Sequence, residues 1–251
     1  MTSEIRVIGL KGPADITPGV DLAAVIVEAA QARGLSFSSG DILVVTQKIV
    51  SKAEGQLVDL GTITPSPFAE QIAGMQKKDP RLVEVVLRET KRVVKMDQRA
   101  IIVETRHGFV CANAGVDESN VPGEGTVALL PVDADASARR LRQAIRGLTG
   151  MELAVIISDT FARPWREGFV NVAIGVAGLE PLKDYRGVSD TEGRILQATT
   201  LAVADELASA AELVMGKVDR IPVAVIRGYS YTRGEGTATQ LVRAPEKDLF
   251  R

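Results

Sequence analysis

Apolar residues along this 251-residue chain recur in two rhythms, short unbroken runs and a three-to-four spacing. Between Asp21 and Arg33, Leu22, Val25, Ile26, Ala29 and Ala30 share one helical face, and Gly34 follows where a C-terminal cap belongs. The run Ile42-Leu43-Val44-Val45, between Asp41 and Thr46, is short and continuous, as in a strand buried on both faces. Asp79-Pro80 predicts a helix start, with Asp79 as cap and Pro80 as first helical residue, running through Leu82, Val85, Val86 and Glu89. Further strands are predicted at 5–8, 100–104, 109–112 and 221–226. The clearest is Leu153-Ala154-Val155-Ile156-Ile157, which leads straight into Ser158-Asp159-Thr160. Asp135 is expected to cap a helix to Arg146 that ends near Gly147. A longer helix is expected after Asp190, continuing to Met215.

This alternation predicts a mixed α/β (α+β) protein. With no internal repeat, low-complexity tract or dividing linker, residues 1–251 read as one domain with no second domain expected. Periodicity leaves strand order open. The segment 113–125 is rich in Asn, Asp, Ser, Gly and Pro, so its backbone is expected to be exposed or to face a site. The tail from Glu246 is expected to be poorly ordered.

Composition narrows the partners. A formal net charge of −2 gives no general attraction to nucleic acid or to an anionic membrane. The one cysteine, Cys111, excludes an internal disulfide and any multi-thiolate metal site within the chain, and reads as a small core residue. The start of the chain lacks the pattern of a signal segment, and no apolar run approaches the roughly 20 residues that span a bilayer. The expectation is a cytoplasmic protein.

Several familiar devices are missing. There is no G-x-x-x-x-G-K-[ST] loop and no G-x-G-x-x-G between a strand and a helix. The one histidine, His107, has no G-x-S-x-G elbow to serve and reads as a polar residue of the Arg106–Gly108 turn. What stands out instead is a set of polar clusters beside apolar runs. Gln47, Lys48, Ser51 and Lys52 follow the buried run at 42–45, either as phosphate-meeting donors or as a solvated turn. Asn113, Asp117 and Asn120 follow an apolar strand and offer the oxygen ligands that magnesium or manganese prefers, although turns use the same residues locally. Asp159 at the end of a buried strand could hold a metal against a phosphate, with Thr160 adding a hydroxyl. Arg163 and Arg166, three apart around Trp165, suit phosphate or carboxylate oxygens. The alternative for that segment is arginines paired to nearby acids with Trp165 in the core. The run Arg139, Arg140, Arg142 and Arg146 reads as a solvated helix face. Together, these groups point to a phosphate- and metal-handling enzyme and leave the reaction open.

At the same segments the chain resembles the glutamate ligase family of coenzyme F-420 biosynthesis. The likeness rests on GDILVVTQKIVSKAEG, ANAGVDESNV, ISDTFARPWREG and IPVAVIRG, in order, and extends from about Gly9 to Arg227. It implies an intertwined homodimer of mixed α/β fold that uses GTP with magnesium or manganese, and potassium as a helper. It implies that Asp117 and Asp159 are ligands of one metal and Thr160 of a second. It also implies nucleotide contacts from Gln47, Lys48, Lys52 and Asn120, from Gly9-Leu10-Lys11-Gly12, and from the turn Met215-Gly216-Lys217. Two positions depart from the pattern. Ala162 stands where a glycine is common, and Lys217 stands where the family often has a metal-binding Gln. A lysine ammonium cannot ligate a metal. Either the second metal is held differently or Lys217 replaces part of its charge.

The implied reaction adds gamma-linked L-glutamate to the carboxylate of the glutamate-free F-420 precursor through an acyl phosphate. Such phosphoryl transfer relies on positioning and charge stabilisation, for which Lys48 and Lys52 are the candidate catalytic cations. Arg163 and Arg166 are, by their chemistry, candidates for substrate carboxylates. Two rival readings are a glutamate ligase acting on another carboxylate cofactor and a nucleotide-binding regulator without catalysis.

Overall fold

The structure is a computed structural model that describes residues 4–12, 15–121 and 123–248. In chain order its elements begin with β1 (Arg6–Leu10), α1 (Leu22–Ala32), β2 (Ile42–Thr46), α2 (Gln47–Ala53), β3 (Leu57–Asp59), α3 (Pro67–Gln76) and α4 (Pro80–Arg88). Next come β4 (Thr90–Met96), β5 (Ile101–Thr105), β6 (Val110–Ala112), β7 (Thr126–Ala128) and α5 (Ala134–Thr149). The last are β8 (Ala154–Arg163), β9 (Arg166–Ala177), β10 (Lys183–Asp184), β11 (Thr200–Leu201), α6 (Val203–Met215) and β12 (Val223–Arg227). The mixed α/β expectation holds.

Five strands form the main sheet in the order β1-β12-β2-β8-β9. Only β2 and β8 run parallel, from Ile42 opposite Ala154 to Thr46 opposite Ser158; the other neighbours are antiparallel. β2 lies in the middle, and Ile42, Leu43, Val44 and Val45 are at most 1% exposed, which explains the unbroken apolar run. Each such side chain contributes about 1.5–3 kcal/mol of burial before chain entropy is counted. Helix α5 lies on β8 and β9 and packs against α1, while α6 lies against β9, β1 and β12. Gly175 on β9 admits α5 closely: a Cβ there would come within 2.4 Å of the Ala134 carbonyl oxygen.

A second, smaller core sits between β3 and β7. Leu60, Ala69, Ile72, Val83, Val86, Ile101, Val103, Val116 and Val127 pack together, separately from the core of the main sheet. Helices α3 and α4 pair with one another beside the antiparallel sheet β4-β5-β6. The chain enters this lobe along β3 and leaves along β7, and these strands pair antiparallel, Leu57 opposite Ala128. Its way in and its way out are therefore adjacent.

Caps explain most helix starts. Asp21, Ser66 and Asp79 accept hydrogen bonds from the first-turn N–H groups of α1, α3 and α4. Helix α5 is capped by Asp133, two residues before the Asp135 expected from sequence, and it runs on to Thr149. Asp135 is used elsewhere, accepting from the backbone N–H groups of Val176 and Ala238. The long helix expected after Asp190 is also shorter than read. Residues 190–199 form turns, with Gly193 at φ +82°, before β11 pairs with β10 and α6 starts at Val203. From the tail, Pro245–Lys247 makes a 3-10 turn, and residues 249–251 lie outside the described part.

Candidate active site

The parallel pairing of β2 and β8 stops at Thr46 and Ser158, where β2 ends. Open α/β sheets commonly bind ligands at that edge, because the chain leaves each strand there and turns into loops or helices. Here β2 turns at once into the helix α2, so the solvated turn offered as one alternative does not form and the polar side chains stand on a helix. It presents Lys48 and Lys52, one turn apart, on a partly exposed face, and buries Gln47 and Ser51. Ser51 Oγ donates to Gln47 Oε1 at 2.8 Å, fixing the Gln47 side chain.

Lys48 reaches across to the small lobe. Its Nζ donates to Asp117 Oδ2 at 2.6 Å and to the carbonyl and hydroxyl oxygens of Ser119, both at 2.7 Å. Asp117 itself is held by an antiparallel bridge to Ala128, and its Oδ1 accepts from the Ser119 N–H at 2.7 Å. Burial raises the Asp117 pKa, but the hydrogen bonds from Lys48 and Ser119 and the Lys48 charge outweigh it and leave the carboxyl below its ordinary value. The Lys52 pKa is lowered, first by burial and then by the neighbouring Lys48 charge, with Asp15 opposing.

Asp159 completes the cluster from the other side. Strand β8 does not end there, as read from sequence, but continues to Arg163 and folds back as β9. Burial, offset by the Thr160 N–H and reinforced by the Asp117 charge, pushes Asp159 up to about 6, while Lys48 and Lys217 act to lower it. Cys111 lies in the same neighbourhood. Its thiol is pushed up to about 12, by burial first and then by the Asp159 charge, which fits an inert core residue.

Beside Asp159, four side chains close a ring. Thr160 Oγ1 donates to Asn171 Oδ1 at 2.7 Å, and Asn171 Nδ2 donates to Glu212 Oε2 at 2.6 Å. The Lys217 ammonium donates to Thr160 Oγ1 at 2.7 Å and pairs with Glu212 Oε1 at 2.6 Å. Asn171 stands opposite Thr160 across the β8–β9 hairpin, Glu212 comes from α6, and Lys217 from the turn beyond it. Gly216 makes that turn with φ +57° and ψ −164°, a region essentially open to glycine alone. A Cβ there would come within 2.3 Å of Asp219 Oδ2.

The segment 9–12 packs against the same turn. Gly12 N–H donates to the Arg220 carbonyl at 3.1 Å, and a Cβ on Gly9 would come within 2.7 Å of Ile221 Cγ2. The two stretches implied as nucleotide-binding are thus neighbours. Leu10 and Met215 are each 1% exposed, so both are packed inside, whereas Lys11 is exposed.

Three candidates remain to be placed. Asn120 is exposed, at φ +54°, on the loop after Asp117. Arg163 and Arg166 face each other at the tip of the β8–β9 hairpin, four residues and roughly 13 Å along the strand from Asp159. There Arg163 donates to the carbonyl oxygens of Glu167 and Gly168, and Trp165 is 76% exposed, so the alternative with that ring in the core does not hold. Asn113 accepts from Lys78 at 3.1 Å. The basic run on α5 is spent on surface pairs: Arg140 with Glu54, and Arg142 and Arg146 with Glu152.

Glu212, Asn171 and Ser119 escaped the sequence reading. A buried Asn inside an apolar strand is the one signal that could have exposed Asn171, and it required recognising β9 first.

The donor atoms suit one divalent cation where two carboxylates, Asp117 and Asp159, meet the single Lys48 ammonium, and disfavour a second at Thr160, where Glu212 is already matched by Lys217. Asp117 and Asp159 are two carboxylates whose charges act on each other, and hard cations need only one or two protein carboxylates when phosphate and water supply the rest. Among the described residues, no group of three or more His, Cys, Asp or Glu side chains gathers as a cage. Thr160, implied as the ligand of a second metal, already carries an ammonium.

The family described as F420-0:Gamma-glutamyl ligase matches residues 10–228 of this chain. The coenzyme F420:L-glutamate ligase of Methanothermobacter thermautotrophicus is 48% identical over 250 residues, covering 98% of this chain and 99% of that protein. The ligase of the same name from Methanopyrus kandleri is 49% identical, covering 94% and 93% of the two chains, and that from Methanocaldococcus jannaschii is 46% identical, covering 86% of each.

Proposed function

Because the chain belongs to the F420-0:gamma-glutamyl ligase family, we propose that it adds gamma-linked L-glutamate to the carboxylate of the glutamate-free coenzyme F420 precursor, at the expense of GTP. Magnesium or manganese, potassium as a helper, a homodimeric state and a cytoplasmic setting belong to the same proposal. The observation that carries it is the meeting of Lys48, Asp117 and Asp159 at the carboxyl end of β2, where its parallel pairing with β8 stops.

An ionised carboxylate and an amine do not condense in water, so the carboxylate needs a leaving group. The γ-phosphoryl group passes from GTP to a carboxylate oxygen: the bond from the γ-phosphorus to its bridging oxygen breaks, a new phosphorus–oxygen bond forms, and GDP departs. The glutamate amine then attacks the carbonyl carbon of the acyl phosphate. The carbon–nitrogen bond forms, the carbon–oxygen bond to phosphate breaks, and the amine gives up a proton. A divalent cation on Asp117 and Asp159 supplies Lewis-acid charge to the phosphate oxygens when bound.

The chain's own groups do the positioning. Lys48 and Lys52 put two ammonium charges, one turn apart, beside the phosphates, and Lys48 also holds Asp117 and the Ser119 loop. Fixed charges of this kind are worth most where charge develops in the transition state. The glycines at 9 and 12 let their backbone pack closely against Ile221 and Pro222, which sets the two stretches implied as nucleotide-binding side by side. Arg163 and Arg166, farther along the hairpin, suit carboxylates at the distal end of an extended substrate. The homodimer is supported by the apolar surface on that hairpin, where Phe169 is 70% exposed and Trp165 76%.

Mass spectrometry after incubating the protein with precursor, glutamate, GTP and manganese tests the reading. Stepwise gain of glutamyl units, absent when GTP is omitted, is the expected result. Unchanged precursor with continued GTP consumption would mean that the acceptor is a different carboxylate.

A further inference from the structure

The ring formed by Thr160, Asn171, Glu212 and Lys217 has the makings of a cation site that the protein fills for itself. Hydroxyl, amide and carboxylate oxygens come together there from a strand hairpin and a helix, and the Lys217 ammonium sits on the hydroxyl and carboxylate oxygens. The ring is closed. Lys217 donates to Thr160 and Glu212, Thr160 donates to Asn171, and Asn171 donates to the second oxygen of Glu212. One positive charge meets one carboxylate, and the neutral groups are oriented by hydrogen bonds.

A divalent ion on Thr160 Oγ1 at an ordinary magnesium distance would lie within about 5 Å of that ammonium. The two positive charges would repel, and the ion would compete with Lys217 for the same hydroxyl and carboxylate oxygens. Oxygen ligands without thiolate or imidazole suit magnesium or manganese, which defines the class of ion kept out.

We infer that Lys217 is a tethered cation that takes the place of a divalent metal ion at the Thr160–Asn171–Glu212 oxygens, leaving each chain to bind one such ion fewer than these ligands could hold. This rests on the ligase reading only for the phosphates that the tethered charge would face. The benefit is permanence: a covalently attached charge at this corner is present whatever the metal concentration. Its reach is limited to hydrogen bonding, because an ammonium orients phosphate oxygens but has no open coordination position.

The experiment is a count of bound manganese by equilibrium dialysis and electron paramagnetic resonance, on the full chain with GDP present. Lys217→Gln is expected to bind one more manganese per chain than the wild type, and adding Thr160→Val is expected to remove that extra ion. Lys217→Arg, which keeps the charge, is expected to match the wild-type count. Equal counts for wild type and Lys217→Gln would overturn the inference, as would an extra ion that survives Thr160→Val. The Lys217 side chain is 58% exposed, so its replacement leaves the core untouched, and unchanged circular dichroism checks this. The outcome separates from the ligase assay. An extra ion in Lys217→Gln without glutamyl transfer by the wild type would leave the tethered cation standing and remove the proposed reaction.

Discussion

Strand β2 carries an acid–base pair at each end, and the two differ in almost every respect. At its amino end, Asp41 is 2% exposed and is gripped by Arg227, whose Nε and Nη2 donate to the two carboxylate oxygens at 2.8 and 2.7 Å. Asp41 also accepts from the Ser38 N–H at 2.8 Å, and Arg227 donates onward to the Ser36 carbonyl. Donors and acceptors are matched, and the corner is closed. At the carboxyl end, Lys48 meets Asp117 through a single ammonium contact, the Asp117 side chain is 40% exposed, and Asp159 lies close enough for the two acids to feel each other. A planar guanidinium satisfies a carboxylate completely, whereas a point charge leaves oxygens free for something else. The first pair is built to stay shut and the second to be shared with a ligand.

Breaking the closed end should have the largest effect. Asp41→Ala leaves the Arg227 guanidinium without its carboxylate and is expected to cost about 3–5 kcal/mol of stability. Urea unfolding reads this directly, and an unchanged midpoint would place the pair among dispensable surface bridges. Breaking the open end should spare stability and remove turnover. Asp159→Asn is expected to lower glutamyl transfer by roughly 10²–10³-fold, with no loss of unfolding free energy. Near-normal turnover with unchanged metal dependence would take Asp159 out of the reaction. Lys48→Gln, which removes a charge-assisted hydrogen bond of about 1.5–3 kcal/mol, is expected to slow transfer by roughly 10–100-fold. A rise in KM alone would make it a nucleotide-binding group only. The smallest effect concerns Cys111, buried beside the open end with its thiol pushed up to about 12. Alkylation at pH 8 should be slow in the native protein and complete in denaturant. Fast native labelling would mean that the carboxyl end is more open than its packing indicates.

The same contrast explains what was legible in the sequence. Local signals carried through: the apolar run of β2, the Asp79-Pro80 start of α4, the spacing of α1 and the run that begins β8 all became the elements read from them. Strand β9 was missed because its outer half is exposed at the hairpin tip while its inner half is buried, so no single rhythm runs through Arg166–Ala177. Asp133 and Asp135 both sit in positions that could cap α5. The choice between them was made by tertiary partners, the N–H groups of Val176 and Ala238, that no local pattern contains. At the site, the residues were legible and their meetings were not. Lys48 and Asp117 are 69 positions apart, and Thr160 and Lys217 are 57 apart. Motif likeness selected these residues. The geometry added the partners, Ser119, Asn171 and Glu212, whose roles come from topology.

The small lobe with its own core, entered by β3 and left by the adjacent β7, gives the site an unusual position. Asp117 belongs to that lobe and Asp159 to the main sheet, so the two carboxylates belong to different bodies of packing. Any ligand that touches both is a rivet through a seam. Its binding energy would appear as resistance to the lobe peeling away, and the chemistry would switch off as soon as the seam slackened, long before either core melted.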